Sequence, residues 1–375
     1  MLSVVPGLGH LLLGRRGRGV HLLLFTLVMA LVLVWRWGAL RAAFSARDIG
    51  AWVASIFLVL SLAGSVVFSV LDLWRIRESR SSQDSQESRG RSPLLVARRR
   101  FAANRLAVAA LYVIGFLYLL SILAPLLAPY NPSAIEDVLK TRYLPPSWAH
   151  PFGTDDFGRD LFSRALYGAR VSLSVGLLAM LVAISFGTTY GAVAGHFGGF
   201  LDNLLMRLVD VVIAFPTFFL MLTLVGIFEA NIVALVLILG LTSWTGTARL
   251  VRGEILSLKE REFVEGARAI GLPNRLIIFR HLIPNAMASV LVSAALMVGG
   301  LIGAEAGLSF LGIGIRPPTP SWGNMLSAGQ DALLVAWWVA FFPGCLLAIT
   351  ILSFNLLADG LRDALDVKTL MRKYV

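Results

Sequence analysis

The sequence predicts an all-α, polytopic membrane protein with about eight transmembrane helices. Three observations carry this. Of the 375 residues, 57% are hydrophobic and only 15% are charged, whereas soluble chains carry about 25% charged residues. Eight stretches, at about residues 21–35, 51–71, 106–128, 171–195, 211–228, 230–248, 282–304 and 332–358, contain no Asp, Glu, Lys or Arg. About 20 apolar residues cross the hydrocarbon core, and only helices leave no main-chain group unpaired in lipid. The remaining charges gather between these stretches.

The order of the stretches sets the organisation. The first is short. Arg15, Arg16 and Arg18 before it, with the small residues at 42–46, would also suit a cleaved leader. The second span and the basic segment after it favour a retained helix pair. Residues 75–97 contain RESRSSQDSQESRGRS, which is polar, Ser-rich and nearly free of apolar residues, so they read as a flexible linker. The chain thus divides into a two-helix membrane extension (1–74), a polar cytoplasmic linker (75–97) and a transmembrane domain (98–375). Alternate inter-span segments lie on one side of the membrane. The set that holds both termini and residues 249–281 carries 24 Lys and Arg, against 9 in the other. The positive-inside rule puts that set, with both termini, in the cytoplasm. Arg98–Arg100 anchors the third span there. The net charge of +11 is therefore a topological signal rather than a nucleic-acid footprint.

Several chemistries are excluded. The single cysteine, Cys345, allows no disulfide framework or thiolate cluster. The sequence has no GxxxxGK[ST] phosphate loop and no HExxH, and its Gly-rich pieces at 6–9 and 312–314 open no βαβ unit. His150 and His196 read as solvated loop residues. A secondary transporter or channel would place ionisable groups within its spans, and none is seen. A scaffold role for the N-terminal pair would add to transport rather than replace it.

One cytoplasmic segment, 257–284, is strongly patterned: SLKEREFVEGARAIGLPNRLIIFRHLIP. It reads as two short helices with a break. Phe263, Ala267 and Ile270 share one face at helical spacing. Gly271 suits a left-handed cap, Pro273 stops the first helix, and Asn274 caps the second. The second helix places Leu276, Ile277 and Phe279 against lipid or neighbouring helices. Glu262, Glu265 and Arg268 stand beside the small residues Gly266 and Ala267. Small residues allow close approach by another protein and the charges fix its register, as in helix-in-groove docking.

This segment resembles the EAA loop of ABC importer permeases: EAA, three residues, Gly, nine residues, Ile-x-Leu-Pro. Glu265-Gly266-Ala267, Gly271 and His281-Leu282-Ile283-Pro284 keep that spacing, and depart from it at Gly266, His281 and Ile283. Gly266 in place of Ala costs a helix about 1 kcal/mol. Arg280-His281 followed by Pro284-Asn285 is similar to the dipeptide/oligopeptide/nickel branch. So are Pro151–Asp160, Tyr167–Arg170, Phe197–Gly199 with Asp202, Met206–Asp210 and Phe215-Pro216. Glu305–Gly312, Pro317–Gly323, Asn355–Leu357 and Asp359–Asp363 continue the match, which covers residues 98–368. The resemblance is to the second of the two permeases in such systems, and the first 97 residues fall outside it.

The resemblance implies a six-helix importer core behind the two extra helices. Its partners would be a second permease in a heterodimer, two ABC ATPase subunits and an extracytoplasmic solute-binding protein, in an inner membrane. The solute would be a peptide or a similar small molecule. The chain itself would bind no cofactor, ATP and Mg being used by the ATPase. Glu262, Glu265, Gly266, Ala267, Arg268, Gly271, Arg280 and Pro284 would form the ATPase-coupling loop. Asp155, Asp156, Arg159, Asp160, Glu305, Phe310 and Trp322 would meet the binding protein or form an outer gate. Otherwise the four charges at 155–160 would form a solvated surface network of little energetic weight. Glu305 is placed just past the seventh span, at the interface. Asp359 and Arg362 close the last span.

Overall fold

The computed structural model describes residues 93–365, except 136, 229 and 230, together with Leu23, Thr26 and Leu27. The spans predicted at 21–35 and 51–71, the leader alternative, most of the linker and the C-terminal tail lie outside the described residues. The chain falls into two compact units, 1–93 with 119–129, and 94–118 with 130–375. The second contains every candidate site residue.

Helix α1 (Pro93–Ala103) carries Arg98, Arg99 and Arg100. Asn104 starts α2 (Arg105–Leu127) by accepting the Ala107 N–H at 3.1 Å. A short α3 (Val138–Thr141) precedes α4 (Leu161–Phe197), which runs 37 residues from its Asp160 cap to Gly198 at φ 66°. Then come α5 (Gly199–Ala214), α6 (Thr217–Ile227) and α7 (Ile232–Leu258), the last capped by Asn231. α8 (Glu262–Ala269) lies in the patterned segment 257–284. α9 (Asn274–Leu276) continues through a π-helical turn (Ile277–Leu282) into α10 (Ile283–Phe310). α11 (Trp322–Gln330) starts on a Ser321/Asn324 capping box, and α12 (Trp338–Leu365) ends the described chain.

Five of these helices are long and apolar enough to cross a membrane, and α5 with α6 make a sixth if counted as one span. That agrees with six spans after the linker, with corrections. The stretch 211–228 is not one straight helix: α5 and α6 meet at 81°. Pro216 cannot continue α5, and it holds Phe215 extended at φ −87°, ψ 130°. The last span begins at Trp338 rather than 332, because 331–336 form a turn after α11.

The centre of the bundle is the α4–α7 contact. Gly187, Gly191 and Gly195 recur every fourth residue on α4. A Cβ at Gly187 would lie 2.7 Å from the Trp244 carbonyl, and one at Gly195 3.0 Å from that of Arg252. At Gly191 it would run into the Ala248 carbonyl. Gly240 of α7 returns the contact against the Ala179 carbonyl. In lipid, where no hydrophobic force pulls helices together, such close packing is what associates them.

Candidate functional site

α8 is seated by a narrow face. Val264 and Ala267 are buried among Ala192 of α4, Val251 and Ile255 of α7, and Ile277, Ile278 and Leu282 of the π turn. The face that carries Phe263, Ala267 and Ile270 is only partly covered: Ala267 is buried, but Phe263 is 42% and Ile270 77% exposed. A helix of about two turns presses only a narrow strip onto its neighbours, and here the smaller pair fills it. Glu262, Glu265, Gly266, Arg268 and Gly271 are all exposed, and among the described residues no neighbour lies within 4 Å of a Cβ built at Gly266 or Gly271.

Gly271 caps α8 as expected, at φ 75°. Its N–H donates to Arg268 O at 2.9 Å and the Leu272 N–H donates to Ala267 O at 3.1 Å, which is a Schellman cap. Asn274 does not cap the next helix. Its Oδ1 lies 3.1 Å from Nε2 of His196, which is buried at the end of α4 rather than solvated. Lys259 donates to Gly195 O at 3.4 Å. The segment 257–284 is therefore tied to the C-terminal end of α4 at two points. Of the side chains expected to pack, Ile277 is buried, while Leu276 and Phe279 stay exposed. Arg280 is exposed on the π turn, and Pro284 enters α10 directly after it. A residue without an N–H fits where the ladder has already changed register.

On the other side of the bundle, residues 143–164 fold into a tight knot that sets the start of α4. Asp155 is the hub. Its Oδ1 accepts the N–H groups of Phe157 and Arg159, both at 2.9 Å, and its Oδ2 lies 2.7 Å from Arg159 Nε and 3.4 Å from Arg164 Nε. Asp160 caps α4 through Ser163 N–H at 2.8 Å and meets His150 Nδ1 at 3.0 Å, whose ring stacks on Tyr130. Asp155, Arg159, Asp160 and Arg164 are all buried, so the solvated-network reading is wrong for them. Asp156 alone stays partly exposed, 3.5 Å from Arg159. Partial burial pushes its carboxyl above the usual range, the Asp155 carboxylate adds to this, and Arg159 offsets part of it.

Glu305 also departs from expectation. It lies inside α10, fully buried, not past the end of a span. Its carboxylate accepts from Ser172 Oγ of α4 at 2.8 Å and from Ser309 Oγ at 2.7 Å. Ser309 in turn accepts the Ile315 N–H at 3.0 Å, and Ser172 the Trp322 N–H at 3.3 Å. Trp322 is buried and donates Nε1–H to Ala165 O at 3.1 Å, whereas Phe310 is part-exposed at the end of α10. One carboxylate thus joins α4, α10 and the start of α11. Glu305→Leu should lower the thermal midpoint of the purified complex by a loss of about 1–3 kcal/mol, because it strands serine hydroxyls that Glu305→Gln can still engage. Equal midpoints for the two variants would contradict this.

The site residues missed from the sequence fall into two groups. Ser172 and the His196–Asn274 pair are supplied across the fold, 133 residues apart for Ser172–Glu305 and 78 for His196–Asn274. Ser309, one turn after Glu305, and Arg164, a charge one turn into an apolar helix, were the local signals.

The family described as binding-protein-dependent transport system inner membrane component matches residues 187–370. The N-terminal TM domain of oligopeptide transport permease C matches residues 92–146. The oligopeptide transport system permease protein OppC of Haemophilus influenzae is 41% identical over 285 residues, covering 76% of this chain and 92% of its own. The dipeptide transport system permease protein DppC of Bacillus subtilis is 39% identical over 302 residues, 80% of this chain and 94% of its own. The Escherichia coli OppC is 43% identical over 282 residues, 75% of this chain and 93% of its own. With both pieces of the permease aligned in order and the coupling segment inside the matched region, the chain belongs to the binding-protein-dependent transport system inner membrane components: it is a permease subunit of an ABC importer and not an enzyme.

Proposed function

We propose that this permease forms half of a translocation pathway for peptides or similar small solutes, in a heterodimer with a second permease. Two ATPase subunits bind the coupling helices of the heterodimer from the cytoplasm, α8 being the one this chain supplies, and use ATP and Mg. A solute-binding protein delivers cargo to the outer face, near 150–164 and the α11 region. Both termini are cytoplasmic, and residues 1–74 form an accessory helix pair joined through the 75–97 linker. The names of the oligopeptide and dipeptide relatives support the solute class.

One observation carries the coupling role. α8 spends only Val264 and Ala267 on its own chain and leaves Phe263 and Ile270 exposed beside Glu262, Glu265 and Gly266. Two apolar side chains, a bare glycine and exposed carboxylates on one short helix match a helix-in-groove contact. Glu265→Lys combined with Ile270→Asp keeps the buried strip intact. It should cut ATPase copurification at least tenfold, a loss of about 1.4 kcal/mol or more, and abolish ATP-driven peptide uptake in proteoliposomes. Wild-type recovery of the ATPase together with wild-type uptake would overturn the assignment.

A further inference from the structure

The joint between α5 and α6 leaves main-chain groups without partners. Phe215 N–H reaches Val212 O at 3.4 Å, and the next bond is Leu220 N–H to Pro216 O at 3.1 Å. Pro216 has no N–H, and α6 has no side-chain cap. Among the described residues, none pairs with the carbonyls of Ile213, Ala214 and Phe215 or with the N–H groups of Thr217, Phe218 and Phe219.

The joint sits at membrane depth. Before it, Val209 packs in the cluster of Trp244 and Ala248. After it, Met221 and Val225 pack in the cluster of Leu235, Val236 and Leu239. All five partners lie on the uncharged stretch of α7, so the joint falls between two levels of a spanning helix. It is also on the surface of the chain: Phe215 is 56% and Phe219 64% exposed, and Pro216 and Thr217 are exposed as well.

Three occupants compete for that surface. Lipid cannot pair main-chain groups, and non-helical backbone at this depth is tolerated only against protein or in a water-filled cavity. A helix of a second permease has already used its own main-chain groups internally. Water and solute remain. A peptide offers amide donors and acceptors whatever its side chains are, and the joint presents both kinds within a few residues.

We propose that the α5–α6 joint lines the solute pathway and offers the main chain of residues 213–219 to the main-chain amides of a passing peptide. Phe215, Phe218 and Phe219 frame that contact. The proposal rests on the peptide-import reading above and assigns its contact element.

The test uses the assembled importer in nanodiscs, with Cys345→Ser removing the native thiol. Single substitutions Phe215→Cys, Thr217→Cys and Phe219→Cys are labelled with a charged, water-soluble methanethiosulfonate and with a lipid-soluble maleimide, with and without tri-alanine. Thr217→Cys is nearly isosteric and guards against misfolding at the phenylalanine positions. The charged reagent should label all three sites, and tri-alanine at about ten times its Kd should slow labelling about tenfold. Labelling by the maleimide alone would place the joint against lipid, and labelling by neither would place it under the second permease. Either result overturns the proposal, as does labelling that tri-alanine leaves unchanged. Uptake of tri-alanine by the Cys345→Ser importer is measured in parallel. Its absence would count against the import reading, while the charged-reagent result still decides whether the joint faces water.

Discussion

Gly191→Leu is expected to yield almost no assembled, transporting complex. Its Cβ would run into the Ala248 carbonyl and come within 3.0 Å of that residue's carbonyl carbon and 3.1 Å of its Cα. Overpacking a core costs about 1–3 kcal/mol when side chains can shift, but here the obstacle is backbone, which cannot. The helices must separate, and the contacts at Gly187 and Gly195 separate with them. Ala192, next to Gly191, helps bury Val264 with Val251 and Ile255 of α7, so the seat of α8 is disturbed as well. Gly246→Ala is the control, because among the described residues no neighbour lies within 4 Å of the added Cβ. Yield after size-exclusion chromatography and ATP-driven uptake are the measurements. Gly191→Leu behaving like Gly246→Ala would refute the account of the α4–α7 contact.

Asp155→Ala and Asp156→Ala should differ sharply although the residues are neighbours. Removing Asp155 leaves Arg159 and Arg164 buried with their shared carboxylate gone, and it strips the acceptor from two main-chain N–H groups. Breaking a buried ion pair from one side costs about 3–5 kcal/mol. Removing Asp156 loses one long contact to Arg159 at a part-exposed position, and exposed pairs are worth about 0–1 kcal/mol. Thermal unfolding of the purified complex should show a large drop for Asp155→Ala and almost none for Asp156→Ala. Similar midpoints for the two would mean that the knot is held by something other than its buried charges.

The six spans after the linker were legible because lipid allows only one answer to a long uncharged run. The break in segment 257–284 was legible because its turn chemistry is local: Gly271 adopts the left-handed cap its sequence calls for. Three readings fell short for physical reasons. Hydropathy averages over a window, so it does not register that Pro216 bends the run at 211–228. Spacing on α8 showed an apolar face of Phe263, Ala267 and Ile270 but not the width of the strip its neighbours could cover. The charges at 155–160 read as solvated because the partners that bury them, Arg164 and the loop's own main chain, become evident only once the knot is closed. Glu305 was misplaced for a related reason, since nothing near it in sequence except Ser309 announces the hydroxyls that let a carboxylate sit within a helix bundle.

The length of α4 has a further consequence. At 37 residues and 1.5 Å each it is about 55 Å long, nearly twice the hydrocarbon thickness of about 30 Å. One tip is clamped by the Asp155 knot, and the other is tied to the coupling segment through His196 and Lys259. A rod held at both tips converts rotation into opposed strokes: rocking by about 5° about its midpoint moves each tip by roughly 2.4 Å, in opposite directions. With such a pivot, a push at the Gly198 end would reappear, inverted, at the Asp160 end without passing through any flexible loop.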